Sequence, residues 1–307
     1  MTKSLLLFCF TILFFSTFDR RAFAAEEQAE IGVIGFPADL NVETSIHPAA
    51  VLIRSLAAQT LLRTGAQSQA TASGSNIELL LAEGFNVDGE FKHWGFKLRP
   101  RVTFHNGRAI SGLDVVYSIE RCSKNSSNSP ALRVSLTRNG RDDTENDEES
   151  RAIEISLLAS TITPSLRSSF MEFLSNCPII PEREAALFEK NWGRGTNLIG
   201  GGAYRLTSFR AGSSYTLTKF DEYFDLQPTF GVLKVRGFDD AGHGLTALRL
   251  GTIIALVTSD EKINDLAKKD ETLLVHRCPI SNVIARRSVR LSCTEKLMDF
   301  WNLRYVG

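Results

Sequence analysis

The stretch WGFKLRPRVTFHNGRAISGLDVVYSIER, Trp94–Arg121, decides how the rest of the chain is read. Its first half alternates: Trp94, Phe96, Leu98, Val102 and Phe104 are separated by small, polar or charged residues, as in a half-buried strand. His105-Asn106-Gly107 then reads as a turn. Ser111 stands three residues before Asp114, so its hydroxyl can accept from the free amide at the third helical position. The carboxylate lies in the same first turn, a variant of the capping box. Leu113, Val116, Tyr117 and Ile119 are expected to form the buried face of that helix. Trp94 and Phe96, at strand spacing, read as core rather than as a stacking platform.

Working outward, Glu30–Phe36 reads as a short apolar strand, followed by the polar loop Pro37-Ala38-Asp39-Leu40-Asn41. Pro48–Leu62 carries Val51, Leu52, Leu56, Ala57 and Leu61 at helical spacing, with Pro48 suited to the first turn. Arg63–Asn76 has no periodicity and reads as a loop, and Asp88-Gly89 predicts a two-residue hairpin turn before Trp94. Beyond Arg121 the chain turns polar, and the run Arg141–Glu149 holds six carboxylates in nine residues. It lacks the alternating ligands and central glycine of a calcium loop, so it reads as solvated chain. Arg151–Leu158 is then a strand, with helices near Pro164–Phe173 and Glu182–Lys190.

The 307 residues, 43% hydrophobic and 23% charged, are enough for one large or two ordinary domains. A formal net charge of zero, with no basic run in the mature region longer than Arg286-Arg287, argues against a nucleic-acid surface. The apolar run Leu5–Phe15 follows Lys3 and reaches only about 16 Å as a helix, short of the roughly 30 Å hydrocarbon core. It reads as the core of a signal peptide covering residues 1–24, with Ala22-Phe23-Ala24 as the cleavage site. Bulky Phe8 before Cys9 argues against a lipid anchor, so a soluble periplasmic protein is expected.

Four cysteines remain: Cys122, Cys177, Cys278 and Cys293. In an oxidising compartment they allow two disulfides in three pairings, of which Cys122–Cys177 and Cys278–Cys293 keep each bridge within one region. Four free buried thiols are the alternative. No CxxC pair, Gly-x-Ser-x-Gly elbow or His-Glu-x-x-His helix occurs, and His47, His93, His105, His243 and His276 are scattered. No metal, cofactor or catalytic residue is therefore nominated. Gly200-Gly201-Gly202 is not followed by Gly-Lys-Ser/Thr, so a nucleotide cradle fails as well.

The spelling FKLRP-x-V-x-F-H-[ND]-G-R followed by DVVYSIER resembles the first lobe of family 5 of the extracellular solute-binding proteins. These serve oligopeptide, dipeptide and nickel ABC importers. A second block supports the resemblance: Gly200–Leu206 is similar to the family's Gly-rich turn ending in Tyr. The strands Tyr204–Phe209 and Tyr215–Phe220 follow, and Asp221-Glu222-Tyr223-Phe224 resembles the family's Asn-Pro-x-Tyr-Trp. A strand at Val232–Phe238, a helix within Asp239–Gly251, a strand at Ile253–Val257, a helix at Asp260–Lys268 and a strand at Thr272–Cys278 continue the pattern.

The resemblance implies an α/β fold of mixed α+β character, periplasmic binding protein type II-like, with one lobe of two subdomains and the second lobe largely absent. That lobe would span residues 25–280 with a subdomain insertion at about 112–195, and residues 281–307 would begin the second lobe or form a tail. Trp94, Phe96, Arg99, Phe104, His105, Gly107, Ser111, Asp114, Tyr117, Arg121, Gly202 and Tyr204 carry the motifs and are expected to be structural. The loop after the first strand faces ligand in the family, which nominates Asp39, Asn41 and Thr44 as binding residues.

Three departures stand out. Arg101 replaces the Gly that usually follows the motif Pro, which predicts a type I turn or a strained one. Gly244 stands where the family often has Arg, and Thr252 and Ile254 replace the two acids of Gly-Glu-x-Asp, which alters the hinge contacts. The implied function is the non-catalytic, periplasmic binding component of an ABC importer, most simply for peptides, with an inner-membrane permease and a separate second lobe as partners. One lobe alone makes about half the contacts, which would turn micromolar affinity into millimolar or weaker. The alternatives are a lobe acting as a protein-interaction module and, further off, a periplasmic hydrolase.

Overall fold

The computed structural model describes residues 28–64, 77–126, 129–137, 151–277, 282–287, 289–293 and 298–305. The expected signal peptide, the acidic run 141–149 and Cys278, with its pairing to Cys293, lie outside them. Among the described residues no helix is long and apolar enough to cross a membrane.

Gln28–Ile34 (β1) is followed by Pro48–Ala57 (α1) and the short pair Leu62–Thr64 (β2) and Ile77–Leu79 (β3). Ala82–Val87 (β4), His93–Leu98 (β5), Gly112–Asn125 (α2), Leu132–Leu136 (β6), Ala152–Leu157 (β7), Pro164–Asn176 (α3) and Glu182–Phe188 (α4) come next. Tyr204–Arg210 (β8), Ser214–Lys219 (β9), Val232–Phe238 (β10), Ala241–Leu250 (α5), Ala255–Thr258 (β11) and Glu261–Lys268 (α6) follow. Leu273–Arg277 (β12), Asn282–Arg286 (β13), Val289–Cys293 (β14) and Met298–Tyr305 (β15) close the described chain.

Two main sheets result. The larger has seven strands in the order β12-β13-β11-β1-β10-β9-β8, and the smaller four in the order β4-β5-β7-β6. In the larger sheet β1 runs parallel to both neighbours, β10 and β11, while the other pairings are antiparallel. One core joins this sheet to α1 and includes Ile31, Val33, Leu52, Leu56, Tyr204 and Leu233. A third, smaller core packs α5 and α6 on β11 and β13 through Leu248, Leu256, Ala267 and Ile284. Gly32 and Gly244 let that layer approach, because a Cβ at Gly244 would stand 2.6 Å from Leu256 Cδ1 and one at Gly32 2.7 Å from Ile253 Cδ1.

The second core belongs to the four-stranded sheet with α2 and α3, and both halves of the Trp94–Arg121 stretch enter it. Trp94, Phe96 and Leu98 of β5 pack there with Val115 and Ile119 of α2, all at most 2% exposed. Burying each such side chain is worth about 1.5–3 kcal/mol. The core draws residues from Leu61 to Ile179, so strands on both sides of residue 112 share its sheet. At the other end, β13 lies between β11 and β12 with Val283, Ile284 and Ala285 fully buried. The large sheet therefore continues past residue 280 to Arg286.

Three local expectations change and a fourth is decided. Leu113 is 54% exposed, and the buried stripe of α2 is Asp114, Val115, Ser118 and Ile119. The stripe is turned because Asp114 is drawn inward by its partners. The β4–β5 connection spans residues 88–92 instead of two residues: Phe91, at φ 58°, packs on Trp94 and receives the Trp94 indole N–H on its carbonyl at 2.9 Å. Of the two turns expected at Arg101 the type I form is excluded and the strained one is found: Arg101 keeps the left-handed conformation, φ 59°, that a Gly would adopt freely. The helix expected over Pro48–Leu62 stops at Ala57, where the chain straightens and Gln59 pairs with Ile179.

Candidate functional site

In an open sheet with parallel strands, ligands gather at the carboxyl ends where connections diverge to opposite sides. Here that edge is set by β1 with β10 and β11 on either side. The chain leaves β1 through Gly35, at φ 67°, whose amide donates to Phe238 O at 2.9 Å. It leaves β10 through Asp239 and Asp240, and β11 through Thr258, Ser259 and Asp260. Both helices that begin at this edge are closed by their own caps. Asp240 accepts from the amides of Gly242 and His243 at 2.7 and 3.0 Å, and Asp260 from those of Lys262 and Ile263 at 2.9 and 3.3 Å.

The edge is therefore acidic and not an anion receptor. Asp39, Asp239, Asp240, Asp260 and Glu261 stand within a few residues of the strand ends, with Lys262, Arg194 and Arg236 as cations beside them. Asp240 titrates below the usual range, through the His243 amide first and then the Gly242 amide and the His243 ring. Beside the acids runs an aromatic strip: Phe36 and Tyr215 rings lie 5.8 Å apart, Tyr215 and Phe209 stack at 5.6 Å, and Phe209 is 47% exposed. The β8–β9 turn reaches the same edge, because Tyr215 pairs with Val235 and Phe209 with Tyr215. The site thus offers charge for an amine and rings for an apolar body.

The three nominated binding residues part company. Asp39 sits on this edge, its carbonyl held by Arg194 Nη1 at 3.0 Å. Asn41 is spent on the fold: Oδ1 accepts from the amides of Glu43 and Thr44, and Nδ2 donates to Trp192 O at 3.0 Å. Thr44 borders a different cavity, with Arg54 and Arg121.

The motif residues build the frame behind the site. Trp94, Phe96 and Phe104 are buried, and the Arg99 guanidinium donates from Nε to Leu80 O at 2.6 Å. Gly107 turns the chain at φ 81°. His105 ties the two family-like blocks together: its amide donates to Gly200 O at 2.8 Å, Nδ1 accepts from the Gly200 amide at 3.4 Å, and Nε2 faces Gly202 O at 2.9 Å. Burial lowers its pKa to about 4, so the ring is neutral, with the proton on Nε2. Gly200 and Gly202 lie so close to α1 that a Cβ would meet Ala57 O at 2.0 Å and Leu56 O at 2.5 Å. Tyr204 donates from its hydroxyl to Phe230 O at 2.9 Å, and burial raises its pKa.

Ser111 and Asp114 form the capping box, but Asp114 does more. It takes a fork from Arg108, at 2.6 and 3.0 Å, and the Glu182 amide at 3.0 Å, which docks the start of α4 on the start of α2. Burial works to raise this carboxyl, and Arg108 with the Ser111 and Glu182 amides outweighs it, holding it below the usual range. Arg121 grips Glu43 at 2.6 and 2.9 Å and meets the Tyr117 hydroxyl at 3.3 Å, joining α2 to the loop after β1. A disulfide joins Cys122 to Cys177, with Cα atoms 5.9 Å apart. Sequence reasoning missed Arg108, Glu43 and the strand-end acids Asp239, Asp240 and Asp260. The two caps were detectable as Asp directly before a helical pattern; the Glu43 pairing, 78 residues away, had no local signal.

The model of the bacterial extracellular solute-binding proteins, family 5 middle, matches residues 76–287. Among solved structures, MoaA of A. tumefaciens R10 in complex with mannopinic acid is similar at 22% identity and TM-score 0.65, covering 82% of this chain and 49% of that one. AppA, the oligopeptide-binding protein of Bacillus subtilis, in complex with a nonapeptide, is similar at 20% identity and TM-score 0.61, covering 82% and 48%. A nickel ABC transporter structure from Bacillus halodurans is similar at 22% identity and TM-score 0.58, covering 82% and 47%. The chain thus spans about half the length of these proteins, and the likeness is one of fold, that of type II periplasmic binding proteins. None of the curated proteins matches it.

Proposed function

The chain belongs to the bacterial extracellular solute-binding proteins of family 5, and on that premise we propose that it is the binding component of an ABC importer for short peptides. The observation that carries this is the strand-end edge, where Asp239 and Asp240 directly follow β10 and Asp39 lies in the loop after β1 that also holds Phe36, the first ring of the Phe36–Tyr215–Phe209 strip. A peptide amine or basic side chain meets the carboxylates, and an apolar side chain lies on the exposed ring of Phe209. No chemistry is performed: the ligand is held and handed to an inner-membrane permease. The work is done outside the cytoplasmic membrane, after export by the signal peptide expected at residues 1–24.

The test is a thermal-shift titration of the purified chain with tri-lysine and tri-glutamate. Tri-lysine stabilises the chain by about 2.7 kcal/mol at a hundred times its Kd, and tri-glutamate does not. Asp239→Asn weakens the tri-lysine response. No shift with either peptide at millimolar concentration overturns the reading. A second reading, a module that docks a protein partner, draws on Ile46 and Leu187, which are 84% and 83% exposed.

A further inference from the structure

Strands β9 and β10 turn Tyr215, Leu217, Leu233 and Val235 into the core shared with α1, so the residues between them face the other side of the sheet. On that outward side a cavity of about 360 Å³ opens, at the lower end of small-molecule sites, which run roughly 300–1,000 Å³. Strand register builds its lining in two rows. Ser208, Thr216 and Lys234 stand opposite one another across β8, β9 and β10, and so do Arg210, Ser214 and Arg236.

The charges of this lining do not close. Glu30, opposite Lys234 on β1, takes Lys234 Nζ on one oxygen at 3.0 Å and faces Arg236 Nη1 with the other at 3.7 Å. One carboxylate thus serves two cations. Arg210 has no acid partner among the described residues, and none of the three cations pairs with Asp239 or Asp240. Gly32, opposite Arg236 on β1, brings no side chain to it, and the Arg236 guanidinium lies instead over the Phe238 ring, 4.8 Å from its centre. A surplus of two positive charges remains. The hydroxyls of Ser208, Ser214 and Thr216 likewise make no hydrogen bond to protein among the described residues.

A guanidinium fork without an acid, two further cations and three idle hydroxyls suit a ligand with several acceptor oxygens and a charge near −2. A phosphate group with one ester bond or none meets both conditions at neutral pH, with about −1.5 to −2 charges and at least three acceptor oxygens. A carboxylate or a phosphodiester brings a single charge and leaves one cation unmet. We propose that this pocket binds a dianionic phosphate group, as the free ion or a terminal phosphomonoester, across the row in which Ser214 stands between Arg210 and Arg236. It asks nothing of the strand-end edge, so it stands whichever ligand that edge takes.

Isothermal titration calorimetry of the full chain at constant ionic strength and about pH 7.5, above the second phosphate pKa of about 6, tests this with inorganic phosphate, glycerol 3-phosphate and dimethyl phosphate. Phosphate or glycerol 3-phosphate binds saturably, and the monoanionic dimethyl phosphate at least tenfold more weakly. Tighter binding of glycerol 3-phosphate than of phosphate marks an esterified ligand, and the reverse order marks the free ion. Arg210→Gln changes an exposed side chain, keeps Tm and weakens binding at least tenfold. Ser214→Asp sets a carboxylate between Arg210 and Arg236, keeps the fold and abolishes binding. No saturable binding at about 10 mM of either phosphate ligand, dimethyl phosphate bound as tightly as the monoester, or undiminished binding in either variant overturns the proposal.

Discussion

His105 shows how one side chain can serve two distant segments. Its ring is clamped between Gly200 and Gly202, with Phe220 edge-on at 5.0 Å, and it is neutral because it is buried. Between pH 6.5 and about 4 the unfolded imidazole takes up a proton that the folded one refuses. Stability is therefore full above pH 6.5, falls as the pH drops through that window, and levels out below it, by up to about 3 kcal/mol. Denaturant titrations of the chain and of His105→Gln at several pH values check this: the difference between the two curves shrinks with acid. His47 and His276 are also lowered by burial and are common to both proteins, so the comparison isolates His105. The Phe-His-Asn-Gly-Arg spelling located the turn, but the residues that hold the ring are 95 and 97 positions away and left no trace in local pattern. The same distance hid Glu43 from Arg121 and turned the α2 stripe away from Leu113.

At the scale of elements, α2 is the part most strongly anchored from several directions. Its first turn is locked to α4 through Asp114, its third to the loop after β1 through Arg121, and its last to the end of α3 through the disulfide. The bridge closes a loop of 55 residues, and in the chain-entropy model such a cross-link contributes about 4 kcal/mol. Cys122→Ser/Cys177→Ser therefore unfolds at lower urea, and a reductant moves the native protein to the same midpoint while leaving the double variant unchanged. An unchanged midpoint in the variant would count against the bridge. Strands and helices with strong period were legible, including β5, β7 to β12 and α1 to α6. β6 and β13 were not, because a five-residue segment with only three apolar residues, LRVSL or NVIAR, is decided by which strands it meets, and β13 is placed by β11 and β12. The hairpin at residues 88–92 was misjudged because Asp-Gly favours a tight turn, while burial of Phe91 on Trp94 favours a longer one.

For the whole molecule, the large sheet is centred on its earliest strand. Gln28 pairs with Val232, and Ile31 with Ala255, so β1 stays without partners until most of the chain is present. A chain ended at residue 252 keeps the four-stranded sheet and its core but loses β11, β12, β13 and α6. With Trp192→Phe, so that Trp94 is its remaining tryptophan, its unfolding followed by fluorescence retains a transition, while the β1 sheet loses its cooperative step in circular dichroism. A single shared transition in that shortened chain would overturn this division. The acidic strand-end edge was the least legible part of the candidate site, since the segments that carry Asp39, Asp239 and Asp260 reach one edge only when β1, β10 and β11, far apart in sequence, lie side by side.

A first strand that waits some two hundred residues for its neighbours also sets a clock. Contacts of such long sequence separation form late and slowly, on the millisecond-to-second scale. Throughout synthesis β1 consequently stays unpaired, with its apolar residues Ile31 and Val33 open to a chaperone. For the exported binding component proposed above, that delay would keep the chain in a state a secretion channel can accept.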